Sequence, residues 1–151
     1  MSAASGVAKT VGFWRPRPPS LETLLSDAIG VAHGKAPVQS FAQSLGSILN
    51  IGLPWPGDFV DPAWDPAQRR AVIAYTKHDG FHSQQYMGYS SCRLCDKNNN
   101  GTADYTDGVW MWPEGYAHYL DAHSVRPPQE FIHHVANELV RWAEEQRRRA
   151  R

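Results

Sequence analysis

Four residues offer soft or borderline metal ligands at meaningful spacing: Cys92 and Cys95, then His118 and His123. Cys-x2-Cys is the spacing of a knuckle, a tight turn that points two thiolates at one ion while backbone N–H groups support the sulfurs. His-x4-His falls within the spacing of paired zinc histidines near a helix end, so the four residues can close a tetrahedron around zinc. The stretch between Cys95 and His118 is longer than the roughly dozen residues of an ordinary two-Cys, two-His finger, so a loop and a strand must fit inside it, as in a treble-clef-like or ribbon-like element. A site closed by four protein ligands is structural, and zinc is therefore expected to hold the fold. Asp107, Asp104 and Glu114 are candidate acceptors for the histidine N–H groups.

Other chemistries compete for the same segment. Asp96, Asn98, Asn100, Gly101, Asp104 and Asp107 occupy positions 1, 3, 5, 6, 9 and 12 of a calcium loop. Against calcium, Asp107 replaces the bidentate Glu, Ala103 stands in place of a β-branched residue, and "VWMWP" after the loop reads as extended instead of helical. A thioredoxin-like redox motif would need its cysteines at a helix start, whereas "DKNNNG" follows them and is turn material. A zinc deaminase would need His-x-Glu upstream of Pro-Cys-x-x-Cys, and Gln84 stands where the acid following His82 should be. A metal-dependent hydrolase or nuclease-like site is a further alternative, with Glu114, Asp121 or the His133-His134 pair supplying a base. The bland alternatives are thiols buried as small hydrophobes, and a His133-His134 pair with one ring packed and one wet.

The 151 residues suit one domain, and 42% hydrophobic with 20% charged residues describe a globular protein. Lys+Arg and Asp+Glu balance at 15 each, so no overall field recruits nucleic acid or an anionic membrane surface. Six Trp and six Tyr, with many prolines, imply a core built from aromatics and turns. With no apolar run of about 18 residues and no secretory pattern at the N-terminus, a cytoplasmic protein with no membrane partner is expected. Two cysteines this close form a poor disulfide framework and a common metal pair in a reducing compartment.

The elements that must position these ligands are mostly helical. Residues 1–19 end in "RPRPP" and read as a flexible, Pro-rich segment. Leu21, Leu24, Leu25, Ala28 and Ile29 have helical spacing behind a Ser20 cap, and Val38, Phe41, Ala42, Leu45, Ile48 and Leu49 repeat it, implying a helical hairpin. After the Pro-punctuated "LPWPGDFVDPAW", Asp65 caps and Pro66 opens another helix, which stops at Asp79-Gly80. Phe81–Tyr89 reads as extended and half buried, and Val109–Trp112 as a second strand. A helix over 114–122 carries His118 to His123, and Pro127-Pro128 opens a long last helix with the stripe Phe131, Ile132, Val135, Leu139 and Trp142. The expected fold is a small single α+β domain over 20–146, mostly helical, with a short β-hairpin or zinc knuckle in the metal-binding element 90–123 and a basic tail at 147–151. That tail reads as a solvated helix end whose cations suit the dipole, with nucleic-acid contact as an alternative.

"GYSSCRLC", "NGTADYTDG" and "WPEGYAHYLDAHSVRPPQEFIHHV" together resemble a group of small, uncharacterised bacterial proteins. Their pattern runs Tyr-x-Gly-Tyr-Ser-x-Cys-Arg-x-Cys, then Asn-Gly and Leu-Thr-Asp-Gly, then Trp-Pro-Glu-Gly-x-x-His-Tyr and His-x-Val-Arg-x-Pro. The resemblance covers roughly Asp61 to Val135 and implies one compact unit holding both ligand pairs, with no activity attached. Asp96 stands where that group tends to have Gly, Tyr105 where it has Leu, and the Asn run is one residue longer; the extra residue is what completes the calcium pattern. The expected role is a zinc-stabilised, non-catalytic binding or assembly module that meets a protein partner.

Overall fold

The computed structural model describes residues 8–15, 20–35 and 53–151. They form a small single-domain α+β fold. Strands β1 (Lys9–Thr10), β2 (His82–Gln85), β3 (Ala103–Thr106) and β4 (Trp110–Pro113) make one sheet in the order β1-β4-β3-β2. Strands β2, β3 and β4 are an antiparallel meander, and β1 lies parallel to β4 with Lys9 opposite Trp110. The described helices are α1 (Leu21–Ala32), α2 (Pro66–Thr76), α3 (Tyr116–His123) and α4 (Gln129–Arg149), with one 3-10 turn at Pro56–Phe59.

The capping chemistry places two helix starts where the sequence expects them. The Ser20 hydroxyl accepts the Thr23 N–H at 3.1 Å, and the Asp65 carboxylate accepts the Gln68 N–H at 2.7 Å ahead of Pro66. Helix α1 buries none of its residues, and Leu21, Leu25 and Ile29 are exposed. The second half of the expected hairpin, Val38 to Leu49, lies outside the described residues.

The core forms on the face of β4 that carries Trp110 and Trp112. Strand alternation sends both indoles inward, where Trp112 is fully buried. Phe131 of α4 meets Trp110 and Trp112 with ring centroids 5.2 and 5.9 Å away, and Phe81 meets Trp112 edge-on at 5.2 Å. The buried indole N–H of Trp112 donates to the Thr76 carbonyl at 3.1 Å, which removes the penalty of an unmade hydrogen bond. Val72 and Tyr75 of α2, and Phe131, Ile132 and Val135 of α4, complete this cluster, with Leu139 and Trp142 partly buried against it. The apolar stripe expected of the last helix is the stripe that packs.

Two expectations are corrected. The segment over residues 1–19 is not uniformly a loose arm: Lys9 N–H donates to Val109 O at 2.9 Å, Val11 N–H donates to Met111 O at 3.0 Å, and Val11 is in the core. Gly12 follows at φ +78°, with Tyr116 ring atoms 2.4 Å from where a Cβ would stand, so this arm crosses α3 at backbone contact distance. Strand β2 is exposed along its length, as a polar edge strand, and only the preceding Phe81 is half buried. The last helix continues through the basic segment to Arg149, which pairs with Glu145 one turn back, a solvated helix end as the sequence suggests.

The turn joining β3 to β4 is organised by Asp107. One carboxylate oxygen accepts the N–H groups of Val109 (2.8 Å) and Trp110 (2.7 Å), and the other meets the Tyr75 hydroxyl and His134 Nε2, each at 2.7 Å. The donors hold the Asp107 carboxyl below the usual aspartate range in spite of opposing burial, and the Tyr75 phenol is raised, by burial first and by Asp107 next. Because the folded pKa is depressed, the unfolded chain binds the extra proton. The contribution is therefore present above the ordinary aspartate pKa of about 3.9 and lost as pH falls from there through the folded value. Asp107→Ala should cost about 3 kcal/mol near neutral pH. In urea titrations the gap to the parent should close below about pH 4, and a gap that stays constant into acid would contradict the assignment.

Candidate metal centre

The knuckle is a turn closed on itself. Cys92 N–H donates to Lys97 O at 2.8 Å, and Leu94 N–H points at Cys92 Sγ from 3.4 Å. Its base is tied down by Ser90, whose N–H donates to Gly101 O and whose carbonyl accepts Asn100 N–H, at 2.9 and 2.8 Å. The buried Asn100 side chain donates to Gly115 O at 3.2 Å, where the chain enters α3. A Cβ on Gly115 would lie 2.0 Å from Asn100 O, and Gly101 has φ +98°, so this crossing requires glycine on both strands of chain. Knuckle, β3–β4 hairpin and helix α3 succeed one another along the chain.

Helix α3 carries both histidines. Five positions apart on a helix, they stand about 140° apart around its axis, with Tyr119 between them. The Tyr119 hydroxyl accepts Arg93 N–H at 2.7 Å, and its ring packs with Cys92 and Val125. Burial is the main cause that pushes the Tyr119 phenol up to about 12, with Cys92 adding to it. The helix stops at Ser124, in left-handed backbone at φ 52°, and Val125 N–H closes the end on Tyr119 O.

Across this interface the four expected ligands meet. The thiol sulfurs and imidazole nitrogens of Cys92, Cys95, His118 and His123 all lie within 4.8 Å of one another, the one such cluster of His, Cys and acidic side chains among the described residues. Cys92 Sγ is 3.4 Å from His123 Nε2, and Cys95 Sγ is 3.3 Å from His118 Nε2. A tetrahedron with zinc–sulfur bonds of about 2.3 Å and zinc–nitrogen bonds of about 2.0 Å has sulfur–nitrogen edges of about 3.5 Å, so these two cysteine–histidine edges are already at ligand separation. The two imidazoles are perpendicular, with centroids 5.0 Å apart. Burial, then Lys97 and His123, hold the His118 pKa below the usual value, which favours the neutral, ligating form. This cluster could hold a metal such as zinc.

The calcium pattern is not assembled. Asp104 lies within β3 and bonds Tyr86, Asp107 organises the far turn, and Asn100 bonds Gly115. Four of the twelve loop positions are consumed by β3, whose extended backbone cannot curl around an ion. The carboxylates suggested as acceptors for the histidine N–H groups are engaged elsewhere as well: Asp107 with His134, Asp104 with Tyr86, and Glu114 with Thr102 N–H at 2.7 Å. Asp121 is the carboxylate whose charge acts on His118. His134 belongs to the Asp107 network, and His133 is exposed against Gln129, one ring packed and one wet. Glu114 and Asp121 line an open cleft of about 430 Å³ together with Lys77, Lys97 and His118. Spacing alone did not single out Tyr119 or Ser90 and placed Asn100 only in the calcium pattern, because their parts depend on contacts between the knuckle and α3; the one signal for Tyr119 was its adjacency to His118.

Cys92→Ser should lose bound metal and melt about 10 °C lower, since metal affinity and folding are one free-energy change. His133→Ala, at an exposed position outside the cluster, should leave both unchanged. Equal melting and metal content in parent and Cys92→Ser would remove these residues from the ligand set. No protein-family model, curated protein or solved structure matches the chain.

Proposed function

We propose that this chain is a zinc-stabilised, non-catalytic binding or assembly module. The observation that carries the reading is the complete set of two thiolates and two imidazoles within 4.8 Å, which leaves no coordination position for a water or substrate. A reducing compartment, the cytoplasm, suits unpaired thiolates of this kind. Among the described residues no helix is long and apolar enough to cross a membrane. A protein partner is the favoured ligand: Tyr86, Met87 and Tyr89 stand exposed on the segment that leads into the knuckle, where aromatic and Met side chains are effective contact groups. The resemblance to small bacterial proteins fits a shared metal-held unit over Asp61 to Val135. The exposed arginines at the end of α4 are the place where nucleic acid would bind in its stead.

One observation favours the metal-enzyme alternative. The cleft that holds Glu114 and Asp121 reaches His118, so a hydrolase would use a carboxylate there as base beside a metal with one protein ligand replaced by water. Elemental analysis of protein purified without added metal, with X-ray absorption at the bound element, separates the two readings. About one zinc per chain with two sulfur and two nitrogen neighbours is expected. Zinc with a missing protein ligand and an oxygen neighbour would transfer the assignment to the enzyme, and protein without zinc would overturn both.

A further inference from the structure

The two cysteine sulfurs are not equivalent. Cys92 is 7% exposed, receives the Leu94 N–H at 3.4 Å, and packs against the Tyr119 ring and Val125. Cys95, partly buried against the same cluster, is more open to solvent; each sulfur has one imidazole neighbour, His118 Nε2 at 3.3 Å from Cys95 and His123 Nε2 at 3.4 Å from Cys92. Hydrogen bonds and apolar cover draw electron density from a sulfur and block approach to it, and oxidation follows thiolate character and exposure. No other cysteine is present in the chain, so a disulfide within the molecule can join only these two. Their sulfurs lie within 4.8 Å of one another and belong to one turn, so closing the bond needs only a local shift.

We propose that Cys95 is a modification site for hydroperoxides and Cys92 its resolving thiolate, so that the pair forms a reversible, oxidant-sensitive release for the metal; this rests on the zinc-stabilised reading above. The Cys95 sulfur attacks the terminal peroxide oxygen, the O–O bond breaks, and Cys95 becomes a sulfenic acid as an alkoxide or hydroxide departs. Cys92 thiolate then attacks the Cys95 sulfur, the S–S bond forms, and hydroxide leaves. The two departing anions take up two protons, giving water and an alcohol, or two waters from hydrogen peroxide. Two electrons pass from the sulfurs to the peroxide. Zinc loses both sulfur ligands and is released, because two imidazoles alone do not hold it. Release removes the metal's tie between the knuckle and α3, while hydrogen bonds such as Arg93–Tyr119 and Asn100–Gly115 remain between them.

The test uses the parent protein, whose folding is not in question, treated with less than one equivalent of hydrogen peroxide in the presence of a sulfenic-acid trap and a chromogenic zinc indicator. Peptide mapping should find the trap on Cys95 at several-fold excess over Cys92. Without the trap, one zinc should be released per peroxide consumed, the mass should fall by the two hydrogens of a disulfide relative to the reduced chain, and a dithiol plus zinc should restore the starting state. Trap mainly on Cys92, equal labelling, or zinc release without a disulfide would overturn the proposal. Zinc content measured before oxidation keeps the two failures apart: protein that carries zinc but resists peroxide refutes only the oxidation site, whereas protein purified without zinc refutes the reading beneath it and this proposal with it.

Discussion

Two thiols and two imidazoles, brought from segments more than twenty residues apart, converge at one point. Each of these groups is polar and partly withdrawn from water, and without a shared cation the cluster has only weak sulfur–nitrogen hydrogen bonds to offset the desolvation. A divalent ion would replace those contacts with four strong ones and tie the knuckle to α3. The local architecture follows from keeping that convergence: Ser90 and Asn100 pin the base of the knuckle, Gly101 and Gly115 let two backbones cross in contact, and Tyr119 fills the space between the histidines.

That element does not stand alone. Strand β4 delivers the chain to α3, and its position is set by burial of Trp110 and Trp112 against Phe131 and Phe81. Burying such rings contributes on the order of 2–3 kcal/mol each, enough to hold the helix bearing the histidines against the sheet. The N-terminal arm adds to the same support: Trp14 packs its ring against Tyr116 and Tyr119 at 6.2 and 5.8 Å. The cysteine–histidine cluster and the aromatic core therefore share α3, with His118 and His123 in the first and Tyr116 and Leu120 in the second.

The Asn/Asp-rich stretch shows how one local pattern serves different ends. Residues spaced as calcium ligands become a knuckle base, a strand and a turn cap, because Ala103 to Thr106 pair on both sides with β2 and β4. Backbone pairing in the sheet commits those residues to an extended conformation, and Asp107 then finds better donors in two turn N–H groups, a phenol and an imidazole than in an ion. Oxygen-rich composition in a loop is thus a weak predictor of a cation site when a strand runs through it.

The sequence by itself determined the four side chains that cluster, the caps of α1 and α2, the apolar stripe of α4, the strand at "VWMW" and the α+β class. These are local or periodic features: a tight turn between two thiols, a side chain reaching three residues on, an alternation along one element. Only the tertiary structure decided that Lys9–Thr10 joins the sheet, that β3 displaces the calcium pattern, and that Tyr119 links knuckle and helix. Each of those depends on a contact between segments distant in the chain, and such contacts carry no periodic signal in either segment alone. A two-residue parallel strand and a glycine crossing have meaning only once the partner backbone is in place.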